Sequence, residues 1–197
     1  MRILAVAASA RRQGNSDALL ECALEGVRQE APGAEVERLA PYGLPITPCR
    51  SCNGCWNTGH CVVNDAMQGL YSSFLEADHV VVASPIYFTS LPGHFKVLID
   101  RFQCFWARTY RLGQPPQPRR TGMFLCVGAI NRQLYYQSTL TIVKTWLSTI
   151  NVGCPVARFF PGLDAGKDIL RHAQYLEEAR VAGAELVRMA RASGVLS

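Results

Sequence analysis

The chain has 197 residues, 49% of them hydrophobic and 18% charged, a composition that excludes a disordered or collagen-like chain and suits one domain with a sizeable core. Its formal net charge of +5 comes mostly from arginine and contains no long basic run, which gives no argument for nucleic acid. No apolar stretch approaches the roughly 18 residues of a membrane span.

The opening MRILAVAASARR has the short apolar stretch of a secretion signal, but polar loop residues follow it in place of a cleavage site. Residues 2–8 read as a buried strand, and the expected location is the cytoplasm. The eight cysteines should stay reduced there unless they hold metal. A polar loop, 9–16, leads to a helix at 16–31 with Ser16 as its N-cap. Its apolar stripe is Ala18, Leu19, Cys22, Ala23 and Val27. Residues 34–39 alternate between faces and read as a second strand nearer the sheet edge. Three prolines, Pro41, Pro45 and Pro48, carry the chain to a cysteine-rich stretch. Asn64 and Asp65 can cap a helix that runs to about residue 77.

Residues 79–84 form the clearest central strand. A helix is expected at 93–106, its stripe at Phe95, Leu98, Ile99 and Phe102. The segment 107–120 is the most loop-like, a candidate lid or partner contact. A fourth strand at 121–128, a helix at 135–150, a fifth strand at 153–160 and a closing helix at 167–192 complete the chain. Leu170, Ala173, Leu176, Ala179, Leu186 and Met189 are the expected inner positions of that last helix. Alternating strands and helices predict an α/β fold, a three-layer sandwich around a five-stranded parallel sheet. The leading order is the flavodoxin-like 2-1-3-4-5, with a ligand site at the carboxyl ends of strands one and three. The expected unit is a single domain, 1–197, with a cysteine-rich insertion after strand two at 45–63.

That insertion carries Cys49, Cys52, Cys55 and Cys61, spaced C-x2-C-x2-C-x5-C. Three closely spaced thiolates can each take a different iron of one compact cluster. Structural zinc more often uses two C-x2-C pairs held apart, and a redox-switching thiol set is a third option. Trp56 and His60 lie inside the motif, where they could shield a cluster or simply pack and face solvent. Cys22, Cys104, Cys126 and Cys154 read as small core residues.

Three loops face the switch point. The first offers Ser9, Arg11, Gly14, Asn15 and Ser16 to a phosphate at a helix N-terminus, or is an ordinary strand-to-helix turn. The second offers Pro85, Ile86, Tyr87, Phe88 and Thr89, a mixture of flat apolar surface and hydrogen-bonding groups that suits a planar ring. The third leaves strand four at Gly128. Phosphate at one loop and a flat ring at the next two describe FMN. No hydrolase triad is suggested, and no histidine has metal-ligand spacing, so no side-chain acid or base is assigned.

The sequence resembles the NADPH-dependent FMN reductase superfamily, and within it the iron–sulfur flavoproteins. The phosphate-loop form S-x-R-x-x-G-N-S/T is matched by Ser9, Arg11, Gly14, Asn15 and Ser16. The ring segment and following helix are matched by Ser84, Pro85, Ile86, Tyr87, Phe88, Pro92, Lys96, Ile99, Asp100 and Arg101. The four-cysteine motif stands where the iron–sulfur branch carries it. The chain departs from the pattern after strand four, where Gly128 stands without a second glycine. The resemblance implies FMN at the carboxyl edge of the sheet, a [4Fe-4S] cluster on the four cysteines, and a homodimer or homotetramer. It also implies a ferredoxin-like donor or NAD(P)H, and a small-molecule acceptor such as a quinone, oxygen or peroxide. A plain NAD(P)H-dependent FMN or quinone reductase with zinc or free cysteines, and a non-enzymatic redox sensor, are the alternatives. Lys96, Asp100 and Arg101 read as a structural or subunit-interface charge network.

Overall fold

The computed structural model describes residues 1–192; residues 193–197, which the sequence-based domain includes, lie outside the described residues. Strands β1 (Arg2–Ala7), β2 (Glu35–Leu39), β3 (His79–Pro85), β4 (Arg120–Gly128) and β5 (Val152–Pro161) form one sheet. Every pairing is parallel and the order is β2-β1-β3-β4-β5, as the alternating pattern predicts. The interior strands are continuous apolar runs because both their faces are covered. Strand β2 instead presents Glu35, Glu37 and Arg38 to solvent, and charge on an edge strand discourages pairing with another chain.

Successive strand residues serve opposite layers. Ile3, Ala5, Val81, Ala83, Met123 and Leu125 pack under α1 (Asn15–Glu30) and α6 (Ala173–Ala192). Leu4, Val6, Val80, Val82, Phe124 and Cys126 pack under α2 (Met67–Glu76), α3 (Gly93–Asp100), α4 (Gln103–Tyr110) and α5 (Gln133–Ser148). Phe102 sits at the centre of this second layer, with ring centroids 5.0 Å from Phe74, 5.3 Å from Phe105 and 5.5 Å from Trp146. Cys104, Cys126 and Cys154 are buried as expected, whereas Cys22 is only half-buried.

Several element boundaries differ from the sequence expectation. The helix expected at 93–106 is two helices, because the chain tightens at residues 101–102. Arg101 and Phe102 donate their N–H groups three residues back, to Leu98 (3.1 Å) and Ile99 (3.0 Å), as in a 3-10 turn. Helix α4 then runs to Tyr110, shortening the irregular segment. Helix α1 starts at Asn15 with Gly14 as its N-cap, so Ser16 lies inside the first turn. The closing helix starts at Ala173, after a 3-10 turn at Asp168–Arg171. Leu170, Ala173 and Met189 are exposed, and the inner face is carried by Ala179, Ala182, Gly183, Leu186, Val187 and Ala190.

Small residues on that face have a direct cause. A Cβ added at Gly183 would lie 1.9 Å from the Ala23 carbonyl oxygen, and one at Gly26 would lie 1.9 Å from that of Arg180. The two helices therefore touch backbone to backbone. Gly183→Ala must push them apart and is expected to cost about 2 kcal/mol, read as a lower midpoint in urea denaturation. Gly69→Ala on α2, where a Cβ meets nothing within 4 Å, is expected to stabilise by about 0.5–1 kcal/mol.

Candidate functional site

At the carboxyl edge of the sheet, four loops enclose a cleft. Ser9, Arg11, Gly14, Asn15, Ser16, Pro85, Ile86 and Tyr87 line a cavity of about 110 Å³ together with Val127, Ala129, Leu163 and Asp164. A wider groove of about 500 Å³ is lined by Ile86, Phe88, Thr89, Gly128, Ala129, Ile130 and Tyr135. Ile86 and Ala129 belong to both, so the two spaces adjoin. Every residue singled out in the first, second and third loops lies on one or the other.

The first loop is held by its own polar groups. The Arg11 amide donates to Ser9 Oγ (3.1 Å), and the Gln13 amide donates to Asp17 Oδ2 (2.7 Å). Asn15 is already engaged: its Nδ2 donates to the Ala165 carbonyl (2.9 Å), and its Oδ1 accepts the Ile169 amide (3.1 Å). Arg11 Nη1 donates to the Asp164 carbonyl (3.2 Å). The side chain of Asn15 thus fastens the loop after β5 onto the first loop. What remains for an anion is the set of first-turn amides of α1 and the outer nitrogens of Arg11. Sequence reasoning missed Leu163 and Asp164, because β5 stands two strands from the switch point and its loop reaches back.

The second loop is strained. Tyr87 and Ser90 exchange backbone hydrogen bonds of 2.8 and 2.9 Å, and the two residues between them, Phe88 (φ 47°) and Thr89 (φ 61°), are both left-handed. Such a turn normally takes asparagine or glycine. Ser138 Oγ donates to the Thr89 carbonyl (2.5 Å) and pins the turn to α5. Phe88 is left fully exposed and Tyr87 about half exposed, so two aromatic faces border the groove.

The cysteine stretch forms a second site between β2 and α2. Cys49, Cys52, Cys55 and Cys61 all line one cavity of about 260 Å³, with Trp56, Arg101, Cys104 and Trp106 among its other walls. Ser51 (φ 50°) and Asn53 (φ 58°) are left-handed, and alternation of this kind turns backbone N–H groups inward. The Gly54 amide bonds Cys52 and, with Arg50, pulls that thiol below its ordinary value; burial pushes the Cys55 thiol up. The ring of Trp56 lies under Arg111, whose guanidinium carbon is 3.7 Å from the ring centroid. His60 is exposed, its Nδ1 within 2.8 Å of the Thr58 carbonyl. The segment after α4 therefore borders the cysteine loop.

One buried side chain holds this loop. Arg101 Nη1 donates to Asp65 Oδ2 (2.6 Å) and the Thr47 carbonyl (2.7 Å). Its Nη2 donates to Cys61 Sγ (3.4 Å) and the Val63 carbonyl (3.2 Å). Asp65 also accepts the amides of Thr47 (2.8 Å) and Met67 (3.0 Å). Burial alone would raise the Asp65 carboxyl, but Arg101 and the two amides outweigh it and hold it at about 2. Among the described residues Lys96 pairs only with Asp100, at the surface (2.6 Å). Of the three charges read together from sequence, Arg101 alone reaches the cysteines. Among the described residues no three His, Cys, Asp or Glu side chains converge as one metal ion requires. No helix there is long and apolar enough to cross a membrane.

Residues 1–158 match the model of the NADPH-dependent FMN reductase family. The chain is 26% identical over 147 residues to an iron-sulfur flavoprotein of Methanosarcina thermophila, covering 75% of this chain and 73% of that protein. It is 30% identical over 113 residues to another from Methanocaldococcus jannaschii, covering 57% of this chain and 55% of that one. Thus the match to this second relative spans about half its length. In fold it is similar to an NAD(P)H:quinone oxidoreductase from Methanothermobacter marburgensis, with a TM-score of 0.74 and 18% identity over 94% of this chain and 96% of that one. It is also similar in fold to the azoreductase AzrA, with a TM-score of 0.70 and 18% identity over 94% of this chain and all of that one.

Two measurements test these geometries. Thr89→Asn should stabilise the chain by about 1 kcal/mol, because asparagine tolerates a left-handed backbone that a β-branched residue resists; a lowered melting temperature would contradict the strained turn. The Asp65 carboxyl lies below its unfolded value of 3.8, so its stabilisation is complete above about pH 4 and fades as pH falls towards about 2. Tryptophan fluorescence, reporting Trp56 and Trp106, should show the cysteine loop loosening across that window. In Asp65→Asn this acid transition should be absent.

Proposed function

Because the chain belongs to the NADPH-dependent FMN reductase family, we propose that this flavin-dependent oxidoreductase carries FMN in the sheet-edge cleft and a [4Fe-4S] cluster on Cys49, Cys52, Cys55 and Cys61, both within one flavodoxin-like domain. It passes electrons between a one-electron donor of ferredoxin type and a two-electron acceptor such as a quinone, oxygen or peroxide. The observation that carries the reading is the common cavity of the four cysteines. Four soft thiols suit zinc or an iron–sulfur group, and their spread around about 260 Å³ suits a group of several atoms better than one ion. The names of the curated relatives point the same way.

The flavin supplies two-electron chemistry and the cluster supplies one-electron storage. The chain's own residues do the rest. The first-turn amides of α1 with Ser9, Ser16 and Arg11 would hold the phosphate, and Gly14 would let the backbone approach it. Asn15 keeps the loop after β5 closed over that site. Pro85, Ile86, Tyr87, Phe88 and Thr89 form one wall of the ring groove, and Gly128 lies on the other, where it makes room for Phe159, whose ring a Cβ there would meet at 2.9 Å. Phe88, Ile130 and Leu134 are exposed and apolar, which supports assembly as a homodimer or homotetramer beside the groove.

Protein purified without oxygen should contain about four irons and one FMN per chain. Cys55→Ser should lose iron and keep FMN. Arg11→Ala should bind FMN about tenfold more weakly, the worth of one charge-assisted bond, and keep its iron. Stoichiometric zinc in place of iron would sink the cluster and favour an NAD(P)H-dependent FMN or quinone reductase. Stopped-flow with NADPH, NADH and a reduced ferredoxin then identifies the donor.

A further inference from the structure

Arg101 carries more than a structural ion pair can explain. Its side chain is fully buried, and its guanidinium offers five donors in a fixed fork. The fork is divided between two tasks. Nη1 is satisfied by Asp65 and the Thr47 carbonyl, which fixes the two ends of the cysteine stretch. Nη2 reaches Cys61 Sγ at 3.4 Å and the Val63 carbonyl. Nε is buried and has no partner among the described residues, although Arg101 lines the cysteine cavity. A buried donor left unmatched is costly unless something else accepts from it. Arg120 also leaves a buried Nε unmatched while it clamps carbonyls, so what sets Arg101 apart from a structural clamp is its contact with a cysteine sulfur.

We propose that Arg101 is a positioning residue that raises the reduction potential of the group bound by the four cysteines. The inference rests on the cluster reading above. One electron from a low-potential donor adds one negative charge to the cluster, with no bond broken. A buried cation at a ligand sulfur stabilises that charge where dielectric screening is weak. N–H donors at sulfur act in the same direction. Asp65 opposes both effects, because its carboxylate lies on the far side of the same guanidinium. The arginine therefore tunes and the aspartate holds it in place.

The opposite signs make the test. The midpoint potential of the anaerobically purified holoprotein is measured by a mediated titration followed by EPR. The unmodified chain is compared with Arg101→Gln, Arg101→Lys and Asp65→Asn. Arg101→Gln removes the charge and should lower the potential. Arg101→Lys keeps the charge and should restore the potential towards the unmodified value, with less cluster per chain because the fork is lost. Asp65→Asn removes a negative charge while Arg101 keeps the Thr47 and Val63 carbonyls as partners, and should raise the potential of the cluster that is retained. If Arg101 only held the fold, the three variants would lose iron without moving the potential of the cluster that remains, and that result overturns the proposal. So would shifts of the same sign in Arg101→Gln and Asp65→Asn. Should Arg101→Gln not accumulate as folded protein, the pair Arg101→Lys and Asp65→Asn decides: an unmoved potential in Asp65→Asn overturns it. Iron analysis of the unmodified chain separates the two failures. An iron-free unmodified chain removes the cluster reading itself, whereas an iron-replete one with unshifted variants removes only the role of Arg101.

Discussion

The ion pair between Arg101 and Asp65 is the constraint on which the cysteine loop depends. The loop has few regular hydrogen bonds of its own, and three of its residues sit at positive φ: Ser51, Asn53 and Gly59. Nothing local would keep its ends together. Asp65 joins them by accepting amides on both sides of the stretch, at Thr47 and Met67. Arg101 then neutralises the carboxylate and ties it to the core. A buried pair of this kind often gains little net stability over apolar packing, yet loses about 3–5 kcal/mol when one partner is removed. Its value is in conformation: it gives one arrangement to a segment that would otherwise have many. Gln68 adds to the same end, its Nε2 donating to the carbonyls of Cys61 (3.0 Å) and Val63 (2.6 Å).

The position of Arg101 in the chain matters as much as its contacts. It is the residue that ends α3, and α3 begins where the ring loop ends. That helix has eight residues, a length of about 12 Å. Its N-terminal turn carries His94, whose Nε2 meets the Ala8 carbonyl (2.9 Å) beside the first loop. Its apolar face, Phe95, Leu98 and Ile99, is anchored in the aromatic layer. One short rigid element therefore fixes the strained turn at one end and the cysteine clamp at the other. The tightening at residues 101–102 is part of this device. It turns the Arg101 carbonyl to the Tyr71 hydroxyl (2.9 Å), while the side chain goes to the loop.

The sheet was legible in the sequence because its central strands are uninterrupted apolar runs and its edge strand is charged. The three loops were legible because strand order assigns loops to an edge without any side-chain geometry. The cysteines were legible by spacing. What spacing could not reveal is how distant segments meet. Arg101 read as one of three charges on a helix, and only the tertiary path through Asp65 separates it from Lys96 and Asp100. Asn15 read as a phosphate-binding residue, and only the return of the loop after β5 shows its amide engaged at Ala165 and Ile169. The helix at 93–106 read as continuous because its apolar stripe is continuous; the break comes from backbone hydrogen bonding, which leaves no mark on the stripe. Met189 fitted a helical period, but the close contact at Gly26 and Gly183 rotates the small residues inward, and Leu170 lies in the 3-10 turn before the helix begins.

The two edges of the sheet are treated oppositely, and this explains why the cleft lies where it does. At the amino edge Arg120 is buried and donates to four carbonyls, those of Phe74 (2.7 Å), Leu75 (3.1 Å), Ala77 (2.8 Å) and Ile150 (2.7 Å). These are the C-terminal ends of α2 and α5, where carbonyls lack helical partners and the helix dipole is negative. A cation closes that edge from within, and burial pulls its pKa down further than Asp78 raises it. At the carboxyl edge the helices present their N-termini, and unmatched N–H groups there call for an anion. Among the described residues no buried carboxylate fills that role at α1; Asp17 is taken up by the Gln13 amide and by Arg38 (3.4 Å) at the rim. Parallel topology forces this asymmetry on every helix that crosses the sheet, so a cation inside the protein can complete one edge while the other is left for a ligand to complete.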